Sequence, residues 1–240
     1  MRSELTYGSL FSGIGGIDLG MDLAGFECAW QVEVDGYCRK VLEQHWPEVP
    51  KYGDIYKVKG SELEPVDIIC GGFPCQPVSQ AGKRVGVDDE RWLWDEFYRL
   101  ICEVRPRWVV AENVPGLLSA NFGRAFGEVL RDLAEGGYDV VWDVFPAGGP
   151  GGIGAPHRRE RVFIVANNDR KRQQEQLWSQ SVKEESSERS SWWSTEPDVG
   201  RVANGVPNRV DRLKGLGNAV VPQVAYKVAR MINEYTTKEK

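Results

Sequence analysis

The sequence predicts an α/β fold, a mostly parallel sheet with helices on both faces. Short apolar runs rich in β-branched residues alternate with longer segments of helical periodicity. Several of those runs end in glycine-rich or proline-rich loops, where open α/β sheets place their ligands. The first run, residues 6–11, ends in L-F-S-G-I-G-G, and a helix is expected over 16–24. A second strand over 27–34 ends in V-E-V-D, before a helix over 36–45. A third over 66–70 runs into G-G-F-P-C-Q-P-V-S. Then come a helix over 92–104, a strand over 107–111 ending in A-E-N-V-P-G, and a helix over 124–136. Strands over 138–145 and 161–166 and a last helix over 218–235 complete the pattern. The stretch from 167 to about 199 breaks it, being polar and serine-rich without a sustained apolar period. It reads as a loop, a linker or a small irregular domain.

The bulk properties narrow the function. The 240 residues are 41% hydrophobic and 27% charged, enough for one or two globular domains with a sizeable core. No apolar run is long enough to span a bilayer, and the first residues lack a secretory pattern, so a cytoplasmic location is expected. Five cysteines without C-x-x-C spacing and two histidines, His45 and His157, argue against a zinc site or a disulfide framework, and no metal is expected. A net charge of −5 argues mildly against a nucleic-acid partner, yet the distribution matters more. Arg158, Arg159, Arg161, Arg170, Lys171 and Arg172 cluster around the start of the polar tract, and Arg201, Arg209, Arg212 and Lys214 follow its end.

Chemistry concentrates where the runs end. Gly13, Gly15 and Gly16 let the backbone turn tightly and approach a ligand. Glu33 follows about twenty residues later, the spacing at which an acid holds ribose hydroxyls. Asp54, in G-D-I, offers a second carboxylate at the next edge. Either acid alone could be merely solvated or a helix cap. Together they outline a nucleoside pocket, without deciding between a dinucleotide and S-adenosyl-L-methionine. Cys75 lies between Pro74 and Gln76 in a stiff loop that presents a thiol. Its bland reading is a small apolar side chain at a strand end. Glu112 closes a strand at the same edge, and Arg159 and Arg161, two apart where a strand begins, send both guanidiniums to one face. A thiol, a carboxylic acid and two guanidiniums beside a nucleoside suit attack on a planar heterocycle.

In this order the motifs FSGIGG, VEVD, GDI, GGFPCQPVS, AENVPG, GAPHRRERVFIVA and GLGNAVVPQVA resemble those of the cytosine-5 DNA methyltransferases, over roughly residues 5–166 and 213–235. The resemblance implies a Rossmann-like S-adenosylmethionine-dependent methyltransferase fold, with residues 1–166 and 213–240 as the catalytic domain and 167–212 as a small target-recognition region. It implies that Cys75 adds to carbon 6 of cytosine, so that carbon 5 takes the methyl group before a base removes its proton and Cys75 leaves. Glu112 would contact the ring nitrogen and exocyclic amine; Arg159 and Arg161 would hold the base carbonyl and a nearby phosphate, in roles left undivided. Phe11, Gly13, Gly15, Gly16, Glu33, Asp54, Leu93 and Asn218 would line the pocket for S-adenosyl-L-methionine, Glu33 on the ribose and Asp54 on the adenine edge. Gln76 and Ser79 would lie on a loop that closes over DNA. Arg170, Lys171, Arg172, Arg209 and Arg212 would meet the double-stranded DNA. The target base would flip out of the duplex to reach the thiol.

The chain departs from the family pattern twice. His157 stands where the family usually has glutamine, and is read as a structural bridge between loops. The recognition region is also much shorter than the family's, which weakens any assignment of sequence specificity. A tRNA methyltransferase of the same family and a catalytically silent DNA-binding relative remain as alternatives; the intact Cys75, Glu112 and Arg159/Arg161 set speaks against the second. A nicotinamide dehydrogenase would explain the glycines and Glu33 but leave P-C-Q and E-N-V idle. A monomer is expected, with a cognate restriction endonuclease as the companion to look for.

Overall fold

The computed structural model describes residues 5–74, 92–168 and 209–237. Seven strands form one sheet: β1 (Thr6–Leu10), β2 (Glu27–Val32), β3 (Lys51–Tyr52), β4 (Ile68–Gly72), β5 (Trp108–Asn113), β6 (Asp139–Pro146) and β7 (Glu160–Asn167). Their order is β3-β2-β1-β4-β5-β7-β6, and β7 alone runs against the others. The order reverses between β1 and β4, so the loops after these two strands flank one crevice, the usual ligand position in such sheets. The glycine loop and the P-C-Q segment follow those two strands.

Side-chain alternation builds a core on each face. On β5, Val109 and Ala111 join Leu100, Phe97 and Val129 from α3 (Trp94–Val104) and α4 (Arg124–Glu135). Trp108 and Val110 point the other way, into a cluster with Met21 of α1 (Gly16–Leu23) and Val228 and Ile232 of the C-terminal helix. β7 repeats the alternation, with Val162 and Ile164 on one face and Phe163 and Val165 on the other. α2 (Gly36–His45) starts from Asp35, whose carboxylate accepts from the backbone N–H of Tyr37 and Cys38.

Most boundaries fall within about two residues of the sequence expectation, and three features depart from it more. The glycine pair after residue 70, expected to open a loop, completes β4: a Cβ at Gly71 would lie 2.3 Å from the Leu10 carbonyl oxygen, so only glycine lets the strand continue there. The short β3, which no apolar run announces, pairs Lys51 and Tyr52 with Gln31 and Val32. The helix expected over 218–235 begins only at Pro222, as α6 (Pro222–Thr237), and a separate helix, α5 (Arg209–Asn218), which the sequence reading did not include, ends where it was expected to start. Proline disfavours helical geometry at Val221 and needs no N–H partner in a first turn, so it breaks one helix and starts another. Asn218 therefore ends a helix and does not begin one.

The first residue of α1 is held tightly by this C-terminal segment. A Cβ at Gly16 would meet the Val220 carbonyl oxygen at 2.5 Å. Gly16→Ala is expected to cost about 1–3 kcal/mol through forced backbone movement, lowering Tm by roughly 2–4 °C per kcal/mol. Thermal unfolding of the variant against Gly217→Ala, where a Cβ meets open space, checks this.

Candidate active site

The glycine loop is set by unusual backbone conformations at the end of β1. Phe11 (φ 53°), Gly13 (φ 58°) and Gly15 (φ 87°) are all left-handed, and the Phe11 ring lies 6.2 Å from that of Phe97. Gly15 cannot carry a side chain, because its Cβ would lie 2.5 Å from the Trp46 ring. Beneath the loop Asp18 is fully buried, accepting from Ser9 Oγ at 3.1 Å and Gln31 Nε2 at 2.7 Å. Burial pushes its pKa up to about 6. Ser12 Oγ donates to Ser9 in turn, so a polar network braces the loop from behind. Sequence reasoning missed it, since a lone acid in a helical first turn reads as solvated.

Glu33 is half-buried just past β2. One carboxylate oxygen accepts from the Gly13 N–H and the other from the Asp35 N–H, each at 2.7 Å. Asp54 accepts from the Tyr56 N–H at 3.1 Å and lies 3.6 Å from Lys57 Nζ, which makes it a cap on the short 3₁₀ turn Ile55–Lys57. These carboxylates retain free lone pairs, since an oxygen accepting one N–H can accept again. They fit a ligand that offers hydroxyls to Glu33 and an amine to Asp54. Leu93 sits half-buried just before α3, and Asn218 is exposed at the end of α5.

Glu112 lies near the carboxyl end of β5 with its side chain 8% exposed. Arg161 Nε stands 2.7 Å from Glu112 Oε1, an ion pair whose N–H is not aimed squarely, so Oε1 lacks an aligned donor. Burial raises the Glu112 pKa to about 7, against the opposing pull of Arg161 and Arg159. The neighbouring β4 makes room for this acid, because a Cβ at Gly72 would lie 2.5 Å from Glu112 Oε2. Asn113 Nδ2 donates to the Phe73 carbonyl at 3.0 Å, pinning the chain two residues before Cys75 to the end of β5. The E-N-V motif pointed to Glu112; the anchoring work of Asn113 shows only in three dimensions.

The two arginines share the vicinity of Glu112 but differ in partners. Arg159, one residue before β7, donates through Nη2 to the carbonyls of Gly217, at 2.8 Å, and Ala219. Its pKa is lowered, first by burial and then by Arg161. Burial also pushes three thiols up, Cys28 and Cys70 far above the ordinary range and Cys38 to about 11, so none is a ready nucleophile. Cys75, Gln76, Ser79, Arg170, Lys171 and Arg172 lie outside the described residues. Arg212 is exposed on α5, and Arg209 is its first residue.

Residues 5–204 match the model of the C-5 cytosine-specific DNA methylases. The chain belongs to that family. The type II methyltransferase M.BsuFI of Bacillus subtilis is 37% identical to this chain over 163 residues, 68% of the chain and 39% of that protein. M.AquIA of a Picosynechococcus strain is 38% identical over 177 residues, 66% and 70% of the respective chains. Among solved structures, a prophage-encoded E. coli protein described as a DNA modification methyltransferase superposes with a TM-score of 0.58 at 29% identity, covering 68% of this chain and 47% of that one. Spodoptera frugiperda DNMT2 shares the fold, with a TM-score of 0.56 at 21% identity over 70% and 51% of the chains. The family member described here spans 39% and 47% of the lengths of M.BsuFI and M.DsaV. Its Rossmann-like sheet is shared with the two solved structures. Among its described residues no helix is long and apolar enough to cross a membrane.

Proposed function

We propose that this chain transfers a methyl group from S-adenosyl-L-methionine to carbon 5 of a flipped-out cytosine in double-stranded DNA. The observation that carries the reading is the pairing of buried Glu112 on β5 with Arg161 on β7, set against the glycine end of β4 from which the P-C-Q segment departs. An acid with a pKa near 7 can give a proton to a ring nitrogen and take it back at neutral pH. Cys75 forms a bond to carbon 6 as the Glu112 proton reaches the ring nitrogen, which leaves carbon 5 electron-rich. Glu112 recovers that proton and Cys75 departs as thiolate once a base has removed the carbon-5 proton. Arg161 holds the Glu112 carboxyl in place and, with Glu112, meets the polar edge of the base. Bound S-adenosyl-L-methionine supplies the methyl group. Glu33 would take its ribose hydroxyls and Asp54 its adenine amine, with Phe11, Leu93, Asn218 and the glycine loop as walls. Gln76 and Ser79 act on the DNA side, and Arg170, Lys171, Arg172, Arg209 and Arg212 on its phosphates, within a recognition region over 167–212. The protein works in the cytoplasm as a monomer, beside a cognate restriction endonuclease.

The deciding experiment incubates the protein with radiolabelled S-adenosyl-L-methionine and either mixed-sequence duplex DNA or total tRNA. Label should enter the DNA, and bisulfite sequencing should place it on cytosine. Incorporation into tRNA alone would overturn the choice of substrate.

A further inference from the structure

The turn between α5 and α6 stands between the two halves of the site. On one side it abuts the cofactor loop: Val220 blocks any side chain at Gly16, and the Cβ position of Gly215 lies 3.0 Å from Ile14 Cγ2. Lys214 Nζ adds a 2.8 Å ion pair to Asp35, whose N–H is held by the same Glu33 carboxylate that takes the Gly13 N–H. On the other side, Arg159 clasps the carbonyls of Gly217 and Ala219. One Nη2 group has two hydrogens and can serve two carbonyls at once, a geometry that a lysine ammonium on a flexible stem does not hold as rigidly. The Nε of Arg159 is buried without a partner, so the side chain is committed inward. Arg159 also lies close enough to Arg161 and Glu112 for its charge to act on both.

Resting on the function proposed above, we propose that Arg159 is a positioning residue that ties the Gly217–Ala219 turn, and with it the cofactor loop, to the Glu112–Arg161 pair, and is not a ligand of a DNA phosphate or of the base. It does two separable things. Its planar fork fixes the turn against Gly16 and Ile14, so the cofactor pocket keeps its shape. Its charge restrains the proton affinity of Glu112.

Two variants separate these roles. Arg159→Lys keeps the charge and loses the fork; Arg159→Gln loses both. Calorimetry with S-adenosyl-L-homocysteine should show affinity falling about 5- to 50-fold in each. Affinity for a cytosine-containing duplex, and its dependence on salt, should stay at the wild-type level, which also certifies the fold. The alkaline fall of the pH–rate profile should move to higher pH in Arg159→Gln only, because removing a positive charge raises the pKa of the acid. A phosphate ligand would behave in the opposite way, with the log–log salt slope shrinking by about 0.9 while S-adenosyl-L-homocysteine binds as in the wild type. That result overturns the proposal, as does equal loss of both ligands in both variants. Wild-type protein unable to bind S-adenosyl-L-homocysteine would instead defeat the proposed function on which the assignment rests.

Discussion

Glu112→Gln should lower turnover by roughly 10²- to 10⁴-fold, the range for a lost general acid, while thermal stability at pH 8 is kept or improved. Gln keeps the shape and still offers Arg161 an oxygen, but it has no proton to give. The stability half follows from linkage. The folded-state pKa of Glu112 is raised from 4.5 to about 7, so between those values the folded protein binds more protons than the unfolded chain. The contribution of this group is therefore fully present below pH 4.5 and is lost as pH rises toward 7. Above pH 7 the buried carboxylate is a net cost that Gln removes. The same titration predicts that the wild-type rate falls on the alkaline side of about pH 7, and that this limb is absent from the residual activity of Glu112→Gln. Steady-state rates across pH 5.5–9 and calorimetric unfolding at pH 8 check both halves. A variant that loses activity and stability together would reduce Glu112 to a structural ion-pair partner.

Replacing Cys75 by Ser should abolish methyl transfer, a drop on the order of 10⁶-fold, as for an enzyme deprived of its nucleophile. A hydroxyl is far less ionised and less nucleophilic than a thiol near neutral pH. Neighbouring thiols offer no rescue: Cys28, Cys38 and Cys70 are held protonated by burial, and Cys102 lies exposed on α3. Duplex DNA carrying 5-fluorocytosine gives the sharper readout, because fluorine cannot leave as the proton does. The wild-type protein should form a covalent complex that survives denaturing electrophoresis, and Cys75→Ser should form none. Equal trapping by both proteins would defeat covalent catalysis through this residue.

The local motifs were legible because each rests on chemistry that works within a few residues. Glycines where the chain must turn left-handed, an acid closing a strand, and a cysteine stiffened between prolines are all visible without a fold. Alternating strands and helices announced the layered sheet, since period-2 and period-3.6 patterns reflect which side chains meet the core. The boundary errors have equally local causes. The Gly71–Gly72 pair reads as a loop until Leu10 and Glu112 are seen pressing on it, and Asn218 reads as a helix start until Pro222 claims that place.

By itself, then, the sequence determined the fold class, the family likeness and the residue types of the site, because hydrophobic period and motif chemistry are properties of neighbours along the chain. Only the tertiary structure decided which partners those residues take. It turned Arg161 to Glu112 and Arg159 to the Gly217 and Ala219 carbonyls, pinned Phe73 to Asn113, and buried Asp18 beneath the glycine loop. Such partners lie tens of residues apart along the chain. The burial that raises the Glu112 and Asp18 pKa values comes from the packing of several elements at once, which no local stretch of sequence encodes.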